Sequence, residues 1–234
     1  MSYRALDSTA IVATAERLSA RIGERFPDSG LSKVAREVLA VTRETGDRIA
    51  VIRRPRASNR LWVWATIALG AALIVALVAS LPATSGEIEL FPLLQIVESG
   101  INDVVFLGIA VVFLLSLEAR KQRRDALRAL HQLRSLAHVI DMHQLTKDPD
   151  HLLSPDTATA SSPQRELDRF GLSRYLDYCS ELLSILSKVA ALYAQDLDDR
   201  EVLAAVNDIQ TLTAGLSSKI WQKLVILDNL RARG

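Results

Sequence analysis

A single cysteine, Cys179, stands in 234 residues, so no intramolecular disulfide holds this chain together. Catalytic signatures are missing as well: there is no Gly-rich phosphate loop, no G-x-S-x-G, no H-E-x-x-H and no C-x-x-C. The first 30 residues carry Arg4, Asp7, Glu16, Arg17 and Arg21 with no unbroken apolar core, so no cleavable signal peptide is expected. A concentrated basic face is also lacking. The formal net charge is +1, with basic residues balanced by carboxylates, which argues against a nucleic-acid partner.

One absence is local. Residues 61–117 contain no Lys or Arg, whereas 12 basic residues precede them and 16 follow. Within that window Leu61–Leu81 is an uncharged run of 21 residues, about 30 Å as a helix, the depth of a bilayer hydrocarbon core. A second apolar run, Val104–Leu117, is shorter and is followed by Arg120, Lys121, Arg123 and Arg124. These features predict an all-α membrane protein: a two-helix transmembrane hairpin over 61–117, with spans at about 61–82 and 99–118 and an outer loop at 83–98. Arg48, Arg53, Arg54, Arg56 and Arg60 before the first span, and the 120–124 cluster after the second, place both termini in the cytoplasm. Trp62 and Trp64 then fall at the interface. Abundant Ala, Arg and Leu with few Lys suggest a GC-rich bacterial genome, hence the bacterial inner membrane.

Helical spacing organises the remainder. Residues 1–56 read as an N-terminal helical pair, with apolar rows Ile11, Ala15, Leu18, Ile22 and Val34, Val38, Val41, Ile49, Ile52. Pro27–Asp28–Ser29–Gly30 is the turn between them. A stem helix is expected over 118–148, on Leu127, Leu130, Leu133, Leu136 and Ile140. Residues 149–164 have linker composition. A C-terminal antiparallel helical hairpin follows over 165–233. Its first helix repeats Leu172, Cys179, Leu186 and Tyr193 every seven residues, and its second carries Val202, Ile209, Leu216 beside Val206, Thr213, Ile220, Leu227. Such stripes exceed what one hairpin buries, so they pack on the other helices or on another protomer. Trp221 reads as a packing anchor, and Cys179 as an inert core thiol.

Three candidate sites follow. Ala68, Ala72, Ala76 and Ser80, with Gly108 in the second span, form small-residue surfaces for helix packing. Gln95, Glu98 and Asn102 share one face of a helix starting near Pro92, and in an oligomer would ring a polar pore mouth. His138 and Asp141 have a spacing that can aim two ligands at one metal, with His131, His143 and His151 nearby. No cofactor is strongly implied. The layout of N-terminal helices, two-span hairpin and helical tail is similar in outline to the two-transmembrane effector proteins of bacterial nucleotide-triggered defence systems. That resemblance is one of topology and implies a channel. The residues themselves favour a membrane anchor or signalling scaffold, a homo-oligomer or a binder of a cytoplasmic protein, over an oligomeric ion-conducting pore. A metal-responsive or enzymatic module is the third expectation.

Overall fold

The computed structural model of the protein describes residues 4–53, 64–65, 67–68, 70–72, 75, 90–147, 149 and 167–232. The helices with described bounds are α1 (Ser8–Arg25), α2 (Gly30–Arg53), α3 (Leu90–Leu145), α4 (Arg169–Asp196) and α5 (Arg200–Ala232). No strand occurs among the described residues, as the helical periodicity requires. The chain divides into two compact units. One contains residues 1–53 and 123–234; the other contains residues 54–122. α3 contributes to both.

Each helix of the first unit starts where a side chain can satisfy its free N–H groups. The Asp7 carboxylate accepts from Thr9 N–H at 2.9 Å and opens α1. Asp168 accepts from Gly171 N–H at 2.7 Å and opens α4. Asp199 accepts from the N–H groups of Glu201 and Val202 and opens α5. Between α1 and α2 the chain turns through Asp28, whose φ of 56° is the left-handed conformation that Asp tolerates better than most residues. Ser29 then accepts from Ser32 N–H and donates to the Phe26 carbonyl, tying α1's end to α2's start.

Most of the positions expected to be apolar rows are buried; Leu127 and Leu136 are partly so, and the Ile52 side chain lies outside the described set. Ile11, Ala15, Leu18 and Ile22 of α1 meet Leu31, Val34, Ala35 and Val38 of α2. Ala126, Ala129, Leu130, Leu133, Ala137 and Ile140 line the part of α3 within this unit. α4 is buried on more than one face: Leu172, Leu176, Cys179, Leu183 and Leu186 on one, Tyr178, Leu182, Ile185 and Leu192 on another. It lies against α1, α2 and α5. Phe26 packs edge-on against Tyr175 and Tyr178, with ring centroids 5.4 and 6.2 Å away. The hairpin stripes are thus filled by the chain's own helices. Polar contacts give the directions: Arg21 pairs with Glu181 and Leu6 with Gln195, so α1 and α4 are antiparallel. Arg123 pairs with Glu201, and Lys223 bonds the end of α3, so α3 and α5 run parallel.

In the second unit the sequence expectation needs correction. Among the described residues no helix is long and apolar enough to cross a membrane. The transmembrane hairpin, the multi-pass placement in a bacterial inner membrane with cytoplasmic termini, and the channel that depended on them are therefore not supported. The physical reason for the second span lies in α3. Its uninterrupted apolar run, 104–117, gives about 21 Å of helix against roughly 30 Å of hydrocarbon. Polar or charged residues flank the run directly: Asn102 and Asp103 before it, Glu118 and Arg120 after it. Most of 61–82, all of 83–89, and the linker from 150 to 164 lie outside the described residues. Residues 90–98, within the expected outer loop, form the first turns of α3, which begins close to the helix start expected near Pro92. Val104, Val105, Phe106, Ile109, Val112, Phe113 and Leu117 are exposed, a surface that the described residues do not cover.

Leu133 is fully buried against the core. Its truncation to Ala is expected to cost about 2–5 kcal/mol, the usual penalty for a cavity in a close-packed interior. Urea unfolding followed by circular dichroism measures it, and a loss below about 1 kcal/mol would contradict the burial described.

Candidate functional site

The expected site residues are not brought together. Glu98 and Asn102 are exposed on α3; Gln95 is helical in backbone, and its side chain lies outside the described set. Ala68 and Ala72 are exposed, whereas Ala76 and Ser80 lie outside the described residues. The close helix approach in that unit occurs at Gly70 instead, where a Cβ would collide with the Leu107 side chain. A Cβ added to Gly108 would meet open space. His131 and His138 are exposed. Asp141 accepts a 2.6 Å hydrogen bond from the Gln144 amide. Among the described residues no group of three His, Cys, Asp or Glu could hold a metal; His151 is outside them.

Two other places in the first unit concentrate chemistry. The first is the carboxyl end of α3. The last carbonyls of a helix lack intrahelical partners and carry its partial negative charge. Here the Lys223 ammonium of α5 donates to the Gln144 carbonyl at 2.9 Å and to the Lys147 carbonyl at 3.5 Å. Gln144 is buried; its amide donates to Asp141, and its Oε1 has no hydrogen-bond partner among the described residues. The His143 ring fills the space above Gly30, where any Cβ would strike it. The Lys147 ammonium lies 5.6 Å from the Tyr175 ring centre.

Electrostatics make this junction unreactive near neutral pH. Burial pushes the Cys179 thiol up to about 12, against an opposing pull from Lys223, so it is neither a ready nucleophile nor a ready metal ligand. Burial likewise raises the Tyr175 hydroxyl, with Cys179 adding to the effect. His143 is shifted the other way: burial lowers its pKa, and the charge of Lys147 lowers it further. These shifts favour neutral groups throughout, as a packed joint between helices requires.

The second place is a groove of about 850 Å³ between the start of α4 and the last turns of α5. α4 presents Phe170, Ser173 and Asp177 along one face, spaced i, i+3, i+7. α5 presents Trp221, Val225 and Asp228 at i, i+4, i+7. Phe170 is 60 % exposed and Trp221 66 % exposed. Trp221 is therefore no core anchor: the neighbouring rows Leu216, Ile220 and Leu227 take that role and turn the indole outward. Asp177 pairs with Arg174 at 3.0 Å, yet burial and the nearby Glu181 leave its carboxyl above the usual range despite that cation. Sequence reasoning missed this groove because Trp221 follows the buried Ile220 by one position and the rotation of α5 that turns the indole outward is set by its packing on other helices.

A base whose pKa is lowered in the folded state stabilises the fold while it is neutral, and loses that support as pH falls below its unfolded value of 6.5. Thermal stability is thus expected to fall between pH 7 and pH 5, and His143→Gln should flatten that part of the profile; an unchanged profile would remove His143 from the account. Separately, Gly30→Ala is expected to destabilise by about 1–3 kcal/mol through overpacking, with much of the loss recovered by adding His143→Ala.

No family model matches this chain, and no curated protein or solved structure matches it either.

Proposed function

We propose that the protein is a helical scaffold that recruits a partner protein through the α4–α5 hairpin. The observation that carries this reading is the exposure of Phe170 and Trp221 on the lining of one groove, in a hairpin whose other apolar rows are buried. Aromatic side chains dominate binding energy where proteins meet, because they bury a large area with little conformational freedom to lose. Scattered exposed apolar residues are ordinary, but a rimmed aromatic patch on a rigid helical pair is the usual mark of an interaction surface. Both anchors sit on regular helices, so the surface is already ordered before a partner arrives and the ordering cost of binding is small.

The heptad stripes do not themselves argue for self-association. They are consumed within the chain: Leu172, Cys179, Leu186 and Tyr193 are all buried among α1, α2, α3 and α5. What remains for a partner is the outward face of the hairpin.

Photocrosslinking in cells tests the reading. Benzoylphenylalanine at position 221 is expected to give a discrete adduct, and Phe170→Asp should abolish it. The same group at exposed Thr211, on another face of α5, should not give that adduct. Identical adducts at both positions, or none at 221, would count decisively against recruitment through this hairpin.

A further inference from the structure

The groove carries information about what binds in it. Among the described residues its lining contains Asp168, Asp177 and Asp228, with Arg169 the one cation. Asp177 is paired with Arg174 at 3.0 Å, while burial and the neighbouring Glu181 hold its carboxyl above the usual range. The aromatic rings near the groove already receive cations. The Arg25 guanidinium lies 5.4 Å from the centre of the Phe170 ring, and Arg174 and Arg21 lie 5.2 and 5.7 Å from the Tyr178 ring. Trp221 is the exception. Its indole is the ring type that attracts cations most strongly, yet no cation, ring or hydrogen-bond partner is found for it among the described residues.

We propose that the groove between the start of α4 and the last turns of α5 docks a basic amphipathic helix of a partner protein. In this arrangement the apolar face covers Trp221, Val225 and Phe170, while its Lys or Arg residues meet Asp177, Asp228 and the Trp221 ring. This rests on the recruitment reading above and adds the chemistry of the partner. The two helices line the groove with side chains at helical spacing, the exposed Phe170, Trp221 and Val225 beside Asp177 and Asp228, as a surface that holds an amphipathic helix requires. Charge complementarity chooses the sign of the partner and suppresses acidic competitors.

The full chain, with a fluorescent peptide as probe, supplies the test. Two 18-residue amphipathic helical peptides share one Leu-rich face; one carries Lys and Arg on its polar face, the other Glu. The basic peptide is expected to bind at least tenfold tighter by fluorescence anisotropy, with affinity falling as salt rises. Trp221→Ala should weaken it at least tenfold. Asp177→Asn with Asp228→Asn should reduce the preference between the peptides to under threefold. Melting temperature controls for folding, and Asp228→Asn alone is read where the double variant is destabilised. Equal affinity of the two peptides, or indifference to Trp221→Ala, overturns the proposal. A concentration-dependent dimer lost with Trp221→Ala would also overturn it, by showing that a second copy occupies the groove. The two readings fail separately: a discrete adduct at position 221 with no preference for the basic peptide keeps recruitment and removes only the basic partner.

Discussion

The burial of α4 on several faces is the constraint from which the rest of the first unit follows. Its heptad row alone would be satisfied by one neighbouring helix, but Tyr178, Leu182, Ile185 and Leu192 make a second apolar face. Each such face leaves water only by meeting another helix, at about 25 cal/mol for each Å² removed. α5 covers one side, and α1 and α2 cover others. The N-terminal helices are therefore held to a hairpin more than 100 residues away in sequence, by burial first. The exposed ion pairs Arg21–Glu181 and Arg43–Glu16 are half in water and add direction more than energy.

That arrangement fixes where polar groups can sit. The end of α3 arrives beside the start of α2, and Gly30 leaves the room that the His143 ring occupies. Its free carbonyls are answered by Lys223 from α5. The groups gathered there are pushed toward their neutral forms, so the junction closes the bundle rather than offering chemistry. The hairpin's outer surface is different. Once the inward rows of α4 and α5 are committed to the core, the helical twist turns Phe170 and Trp221 outward, next to Asp177 and Asp228. The same packing that fills the core thus creates the groove assigned here to a partner.

The second unit obeys a different balance. Gly70 allows a close approach to Leu107, while Val104, Phe106, Ile109, Val112 and Phe113 of α3 remain exposed. The window without Lys or Arg in the sequence is real, but the run of α3 inside it is too short and too closely bounded by polar groups to cross a bilayer as a helix.

Periodicity alone determined the helical class, the rows Ile11–Ile22 and Leu172–Tyr193 as core, and the inert setting of Cys179, because a spacing of 3.6 residues leaves few alternatives once polar and apolar positions segregate. Hydropathy and charge asymmetry, by contrast, pointed to a membrane hairpin that the described helices do not support. Only the tertiary structure decided which helices cover which faces. It also set Gly30 beneath His143, Lys223 at the end of α3 and Trp221 in a groove instead of the core. Those outcomes depend on the rotation and register of one helix against another. A difference of a single position turns a side chain by about 100°, from the core toward solvent, and no count along one helix can specify what its neighbour brings to that place.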